Sequence, residues 1–170
     1  MKTHIYLLLI FTGISFTACQ NEEAPVTITQ DEEANTTLTT MIEGLPLIFT
    51  TPNELASSTP SILFNGTLGW YEVKLSKDLM FVISEEEISI EDVKAELRED
   101  HLFSYKFYDE GPNSLLYQAV LPDGSDYLYQ YVRTMKVGDK NYLIHSDKNR
   151  EFSLQNIHTL KATMNSIVPI

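Results

Sequence analysis

Apolar residues run almost unbroken from Ile5 to Phe16, thin out between residues 20 and 44, and then return in short bursts to the C-terminus. The clearest alternation is in the third region. Tyr71, Val73 and Leu75 fall on one side and Trp70, Glu72 and Lys74 on the other, as a half-buried strand requires. Ser76-Lys77-Asp78 then makes a turn, and Leu79 to Ser84 continues as a buried strand, so the two predict a hairpin. Upstream, Leu45 to Thr51, stopped by Pro52, and Ser61 to Asn65, turned by Gly66 and Gly69, predict shorter strands around a Ser/Thr/Pro-rich loop.

The period changes after Ser89. Ile90, Val93 and Leu97 share a helical stripe, Ser89 is placed to cap the free N–H groups, and Glu91 and Asp92 suit the positive end of the dipole. Four strand segments follow: Phe103 to Tyr108, Leu115 to Leu121, Tyr127 to Val137 and Tyr142 to His145. Their connections at Asp109-Glu110-Gly111-Pro112-Asn113, Pro122-Asp123-Gly124 and Gly138-Asp139 are short, which implies antiparallel pairing. A second helix is expected from Ser153 to Ile167, with Leu154, Ile157, Leu160, Met164 and Ile167 facing the sheet. The expected fold class is α+β: an antiparallel meander with helices packed on it.

That order, with its hairpin feeding the Ser89 helix, its Gly124 and Gly138-Asp139-Lys140-Asn141-Tyr142 turns and its final Met164-Asn165-Ser166-Ile167, resembles the PsbP-like fold over residues 45–170. The fold is shared by an extrinsic subunit of photosystem II and a nuclear-transport regulator that binds the Ran GTPase. The resemblance implies a domain that binds and stabilises partners rather than one that catalyses, although a fold does not dictate a function.

The first apolar run has a different meaning. Lys2 precedes it and the small residues Thr17 and Ala18 close it before Cys19, the order of a secretory signal. As a helix it spans roughly 18 Å, short of the ~30 Å hydrocarbon core. Phe16-Thr17-Ala18-Cys19 resembles the lipobox of bacterial lipoproteins, with Phe16 where that family favours Leu. The resemblance implies cleavage between Ala18 and Cys19, and diacylglycerol on the Cys19 sulfur; conventional cleavage and secretion is the alternative. Residues 1–18 are then a signal peptide, residues 19–44 a lipidated cysteine on an acidic disordered linker, and residues 45–170 one domain. Gln20 rather than Asp follows the cysteine, so the inner-membrane retention signal of enteric bacteria is absent and the outer membrane is expected. Glu22-Glu23 resembles a surface-export signal, and periplasmic and outward-facing orientations both stay open.

Charge narrows the partners. Without Lys2, 11 basic residues stand against 24 acidic ones, a surface that repels nucleic acid and anionic headgroups and suits a basic partner. With Cys19 given to lipid, no disulfide, thiolate nucleophile or cysteine metal site remains.

Catalytic patterns are missing from the sequence. His101, His145 and His158 have no metal-pair spacing, and there is no His-Glu-x-x-His or Gly-x-Ser-x-Gly element. His145-Ser146-Asp147 lists the residue types of a triad, but consecutive strand residues point to opposite faces. Asp123-Gly124-Ser125-Asp126 fits a hairpin turn better than a calcium loop, and Glu85-Glu86-Glu87 reads as a solvated connection. No cofactor, metal or enzymatic activity is expected.

One surface is a candidate for binding. Tyr127, Tyr129, Tyr131 and Arg133 share one face of a strand, and Tyr117 is expected beside them on its neighbour. Tyrosine and arginine are enriched at binding hot spots, yet a face covered by a helix would use the same side chains. The expected function is a membrane-anchored binding or accessory module working by protein–protein contact, with an immunity or inhibitor role as one form. Capture of a small ligand or glycan at the tyrosine face is the alternative, and a hydrolase the third.

Overall fold

The computed structural model describes residues 37–55, 58–124 and 128–170. The signal segment, the cleavage site at Ala18 and Cys19, most of the linker and Tyr127 lie outside the described residues.

The described strands and helices, in chain order, are β1 (Leu38–Met41), β2 (Leu47–Thr51), β3 (Ser61–Asn65), β4 (Trp70–Lys74), β5 (Met80–Glu85), α1 (Ile90–Glu99), β6 (Ser104–Gly111), β7 (Ser114–Val120), β8 (Tyr129–Val137), β9 (Lys140–Ser146), α2 (Leu154–Asn165) and β10 (Val168–Pro169). Seven strands form one antiparallel sheet in the order β3-β4-β5-β9-β8-β7-β6. The expected hairpins are therefore present, and the meander closes by laying β9 against β5. Among the described residues β dominates and the class is mixed α and β.

Local chemistry sets the helices. Ser89 Oγ accepts the Asp92 N–H at 3.1 Å while Asp92 Oδ2 accepts the Ser89 N–H at 2.9 Å, a reciprocal capping box. The Ser89 hydroxyl, donating to Asp92 Oδ2 at 2.5 Å, and then the Ser89 N–H hold the Asp92 carboxyl below its usual range. Ser153 Oγ accepts the Asn156 N–H at 3.2 Å and starts α2.

Register divides the sheet into two faces. Tyr71, Val73, Phe81, Ile83, Ile144, Tyr131 and Leu116 share the first, which packs against Ile157, Leu160 and Met164 of α2. Leu115, Tyr117, Val132 and Leu143 share the second, covered by Ile90 and Val93 of α1. Each fully buried Leu, Ile or Phe contributes roughly 1.5–3 kcal/mol, so the two layers hold the sheet from both sides.

A second sheet, β1-β2-β10, is absent from the sequence reading. The linker, expected to reach residue 44, gives way to structure earlier: Leu38–Met41 pairs antiparallel with β2, and Ile42 is wholly buried in the first core layer. The C-terminal helix stops at Asn165 rather than Ile167; Ser166 caps it, and its Oγ ties the helix end to β2 by accepting the Thr50 N–H at 2.8 Å and lying 3.0 Å from the Thr50 carbonyl. Leu154, expected to face the sheet, is largely exposed.

Candidate functional site

Tyr129, Tyr131 and Arg133 share one face of β8 as expected, but Tyr117 does not stand beside them. Leu116 lies opposite Tyr131 and Tyr117 opposite Gln130, so alternation sends Tyr117 to the second face and Tyr131 to the first. Tyr131 is buried beneath α2, where its hydroxyl donates to Asn165 Oδ1 at 2.6 Å. Arg133 Nη1 donates to the Met164 carbonyl at 2.7 Å, at the helix end where exposed carbonyls favour a cation. Tyr129 is half-buried with its ring centroid 6.0 Å from that of Tyr108. These residues hold α2 and the sheet edge. Among the described members of the set, Tyr117 alone lines a cavity beneath α1.

That cavity lies between α1 and the second face. Its inner part, about 100 Å³, is walled by Val93 and Leu97 of α1 and by Tyr117, Val132, Leu143 and His145 of the sheet. An adjoining part of about 250 Å³ shares Leu97, Tyr117 and Lys148 and continues past Tyr105 and Phe103 to Asp100. Together they make a groove lined by apolar and polar groups in comparable measure. Concave sites for small organic molecules combine apolar walls with convergent polar groups.

Charged contacts fix the lid. Lys94, buried on α1, pairs with Glu91 at 2.7 Å and with Glu110 of β6 at 2.8 Å, and Arg98 stands 5.8 Å over the Phe107 ring. Bonds to Glu110 and Glu91 raise the Lys94 ammonium above its ordinary value. α1 is thereby held to β6, and the groove stays open between its C-terminal half and β7 to β9.

The polar groups differ in what they have left to offer. Tyr105 Oη donates to Asp100 Oδ2 at 2.5 Å, and Asp100 Oδ1 accepts the Leu102 N–H at 2.7 Å. The Tyr105 hydroxyl and then the Leu102 N–H hold the Asp100 carboxyl low, while burial and that carboxylate push Tyr105 high. Tyr117 is only 6 % exposed, and its hydroxyl makes no hydrogen bond to any described residue. Burial alone pushes its phenol up to about 12. His145 Nδ1 lies 2.8 Å from the Ser146 carbonyl, which can only accept, so Nδ1 carries the proton and Nε2 is left as an acceptor. Burial lowers the imidazole below its ordinary value, which keeps it neutral at pH 7.

Ser146 Oγ donates to Gln130 Oε1 at 2.5 Å and accepts the Tyr131 N–H at 2.9 Å, so it is not aligned with His145 as a nucleophile. Asp147 is paired with Arg150 at 3.0 Å. Among the described residues no group of His, Cys, Asp and Glu is arranged to hold a metal ion, and no helix is long and apolar enough to cross a membrane.

Sequence reasoning identified Tyr117 and His145 as individual residues but not the groove. The missed members come from two separated segments, Asp100 and Tyr105 between α1 and β6 and Lys148 after β9, which the β6–β7–β8–β9 register brings together. No family model matches the chain, and no curated protein or solved structure matches it.

Proposed function

We propose that this chain is a membrane-anchored binding module that holds a small organic ligand in the groove beneath α1. The anchor is the lipid on Cys19, the membrane is the outer membrane, and kinship with the PsbP-like fold belongs to the same reading. The observation that carries it is the Tyr117 hydroxyl: it makes no hydrogen bond to a described residue and opens on the cavity beneath α1. A ligand seated in the cavity supplies that hydroxyl with a hydrogen bond worth about 1 kcal/mol.

Charge favours one class of ligand. The groove is lined by the carboxylates of Glu86, Glu96 and Asp100 against the single ammonium of Lys148, with His145 neutral. An organic cation with an aromatic or aliphatic body fits that balance: its body lies along Leu97, Val132 and Phe103, and its ammonium meets the acidic rim. The Tyr117 hydroxyl supplies one hydrogen bond.

The test uses 2-phenylethylammonium and phenylacetate, close in size and opposite in charge. Trp70, the single tryptophan, has its ring centroid 6.4 Å from that of His145, which makes its fluorescence a reporter of the groove. The cation is expected to change that fluorescence saturably and the anion to do so far more weakly. Tyr117→Phe should weaken the cation roughly fivefold, the value of about 1 kcal/mol for a hydrogen bond. Equal responses to both probes, or no saturable response to either, overturn the reading.

A further inference from the structure

The two edges of the large sheet are built differently. At one edge, β6 carries Lys106, Asp109 and Glu110, and a bulge between Phe107 and Asp109 shifts its register. Charges and bulges are the devices by which an edge strand resists pairing with another chain. At the other edge, β3 reads Ser61-Ile62-Leu63-Phe64-Asn65, with no charge, no proline and no bulge. Its inner side pairs with β4 in unbroken register, and no described residue hydrogen-bonds to its outer side. Leu63 is 61 % exposed and Phe64 is 54 % exposed. Leu68, on the turn that follows, is also exposed.

The strand is complementary to itself. In an antiparallel pair of two copies centred on Leu63, Leu63 meets Leu63, Ile62 meets Phe64 and Ser61 meets Asn65. Apolar residues then face apolar ones on both sides of the ladder and polar residues face polar ones. Charge points the same way: in a chain of net charge −12, two copies meet with least repulsion along a segment that carries none. We propose that β3 is the contact between two copies of this chain, joined edge to edge into one continuous sheet about a two-fold axis.

Five residues a side bury less than the ~800 Å² per partner of a stable soluble interface, so the pair should be weak in dilute solution. Copies confined to one membrane meet at a far higher effective concentration. The proposal does not depend on the groove or its ligand.

The test is site-specific disulfide formation in isolated membranes carrying the full-length protein. Across the proposed axis two Leu63→Cys residues are direct partners, within the 4.4–6.8 Å Cα separation of a disulfide. Two Ser61→Cys residues are displaced by four positions, about 14 Å, and cannot join. Mild oxidation should give a dimer with Leu63→Cys and none with Ser61→Cys, Leu68→Cys or the parent chain. If Leu63→Cys stays monomeric while a maleimide labels it, or if all three variants cross-link alike, the contact is wrong. A product joining Leu63→Cys to a different protein also overturns it. In sedimentation over a concentration series, Leu63→Lys should lose the wild-type self-association. Its melting temperature should not change, since Leu63 is outside the core; self-association undiminished in this variant is a further contrary result.

Discussion

Tyr105 and Tyr117 stand edge to face, ring centroids 5.8 Å apart and planes at 66°, yet their hydroxyls have opposite fates. That of Tyr105 is held by Asp100 and that of Tyr117 by no described residue. Two phenols in one wall thus separate a hydroxyl committed to the fold from one that the proposed binding would use.

Tyr117→Phe should leave stability within about 0.5 kcal/mol of wild type or raise it, because it removes a hydroxyl that the fold does not use. Tyr131→Phe should cost about 1 kcal/mol or more, since it breaks the bond to Asn165 beneath α2. Urea midpoints of the two variants against wild type decide the matter. If Tyr117→Phe proves as costly as Tyr131→Phe, the Tyr117 hydroxyl has a structural role and the groove loses its main support.

This contrast shows what the sequence could carry. The period-2 pattern at Trp70 to Leu75 and the Ser89 capping box are local, and both appear where their residues predict. Which tyrosines share a face is not local, because it depends on the register that the β7–β8 connection sets, and one residue of slip reverses every side chain. β1 was hidden for another reason. Leu38-Thr39-Thr40-Met41 is polar and half exposed, and its place comes from pairing with β2 and from Ile42 entering a core assembled mostly from later residues.

His145 should make stability pH-dependent in a known direction. Its folded value is depressed by burial, so below about pH 6.5 the unfolded chain takes up a proton that the folded chain refuses. Unfolding is then favoured as pH falls through the window between the unfolded value and the lower folded one, and stability rises with pH across it. Chemical denaturation at intervals from pH 7.5 downward should show that slope, and His145→Gln should flatten it. A slope unchanged by the substitution would place its origin in other groups.

The proposed anchor predicts a simple fractionation result. Lipidated Cys19 should hold the wild-type chain in the outer-membrane fraction, and Cys19→Ala should release it, because two acyl chains supply an anchor that no described helix provides. Protease added to intact cells then distinguishes an outward-facing domain, which is shaved, from a periplasmic one, which is protected. If the Cys19→Ala chain stays equally membrane-bound, the lipobox reading fails.

Gly44, in the turn between β1 and β2, tests how firmly that turn is set. Its φ of +88° lies where L-residues are strained, and a Cβ built there would stand 2.5 Å from the Tyr71 hydroxyl. Gly44→Ala should therefore carry two penalties: roughly 1–2 kcal/mol of backbone strain and a clash with Tyr71. The next Tyr71 atom is 3.3 Å away, so Tyr71→Phe in the same chain removes the worst overlap while leaving the strain. The double variant should recover part of the loss but not all of it, a coupling readable from a cycle of four denaturation curves. Full recovery would mean the turn tolerates an L-residue at +88°; no recovery would mean Tyr71 already swings aside. Partial recovery would establish that β1 enters the fold through a turn held both by its own backbone and by the sheet beneath it.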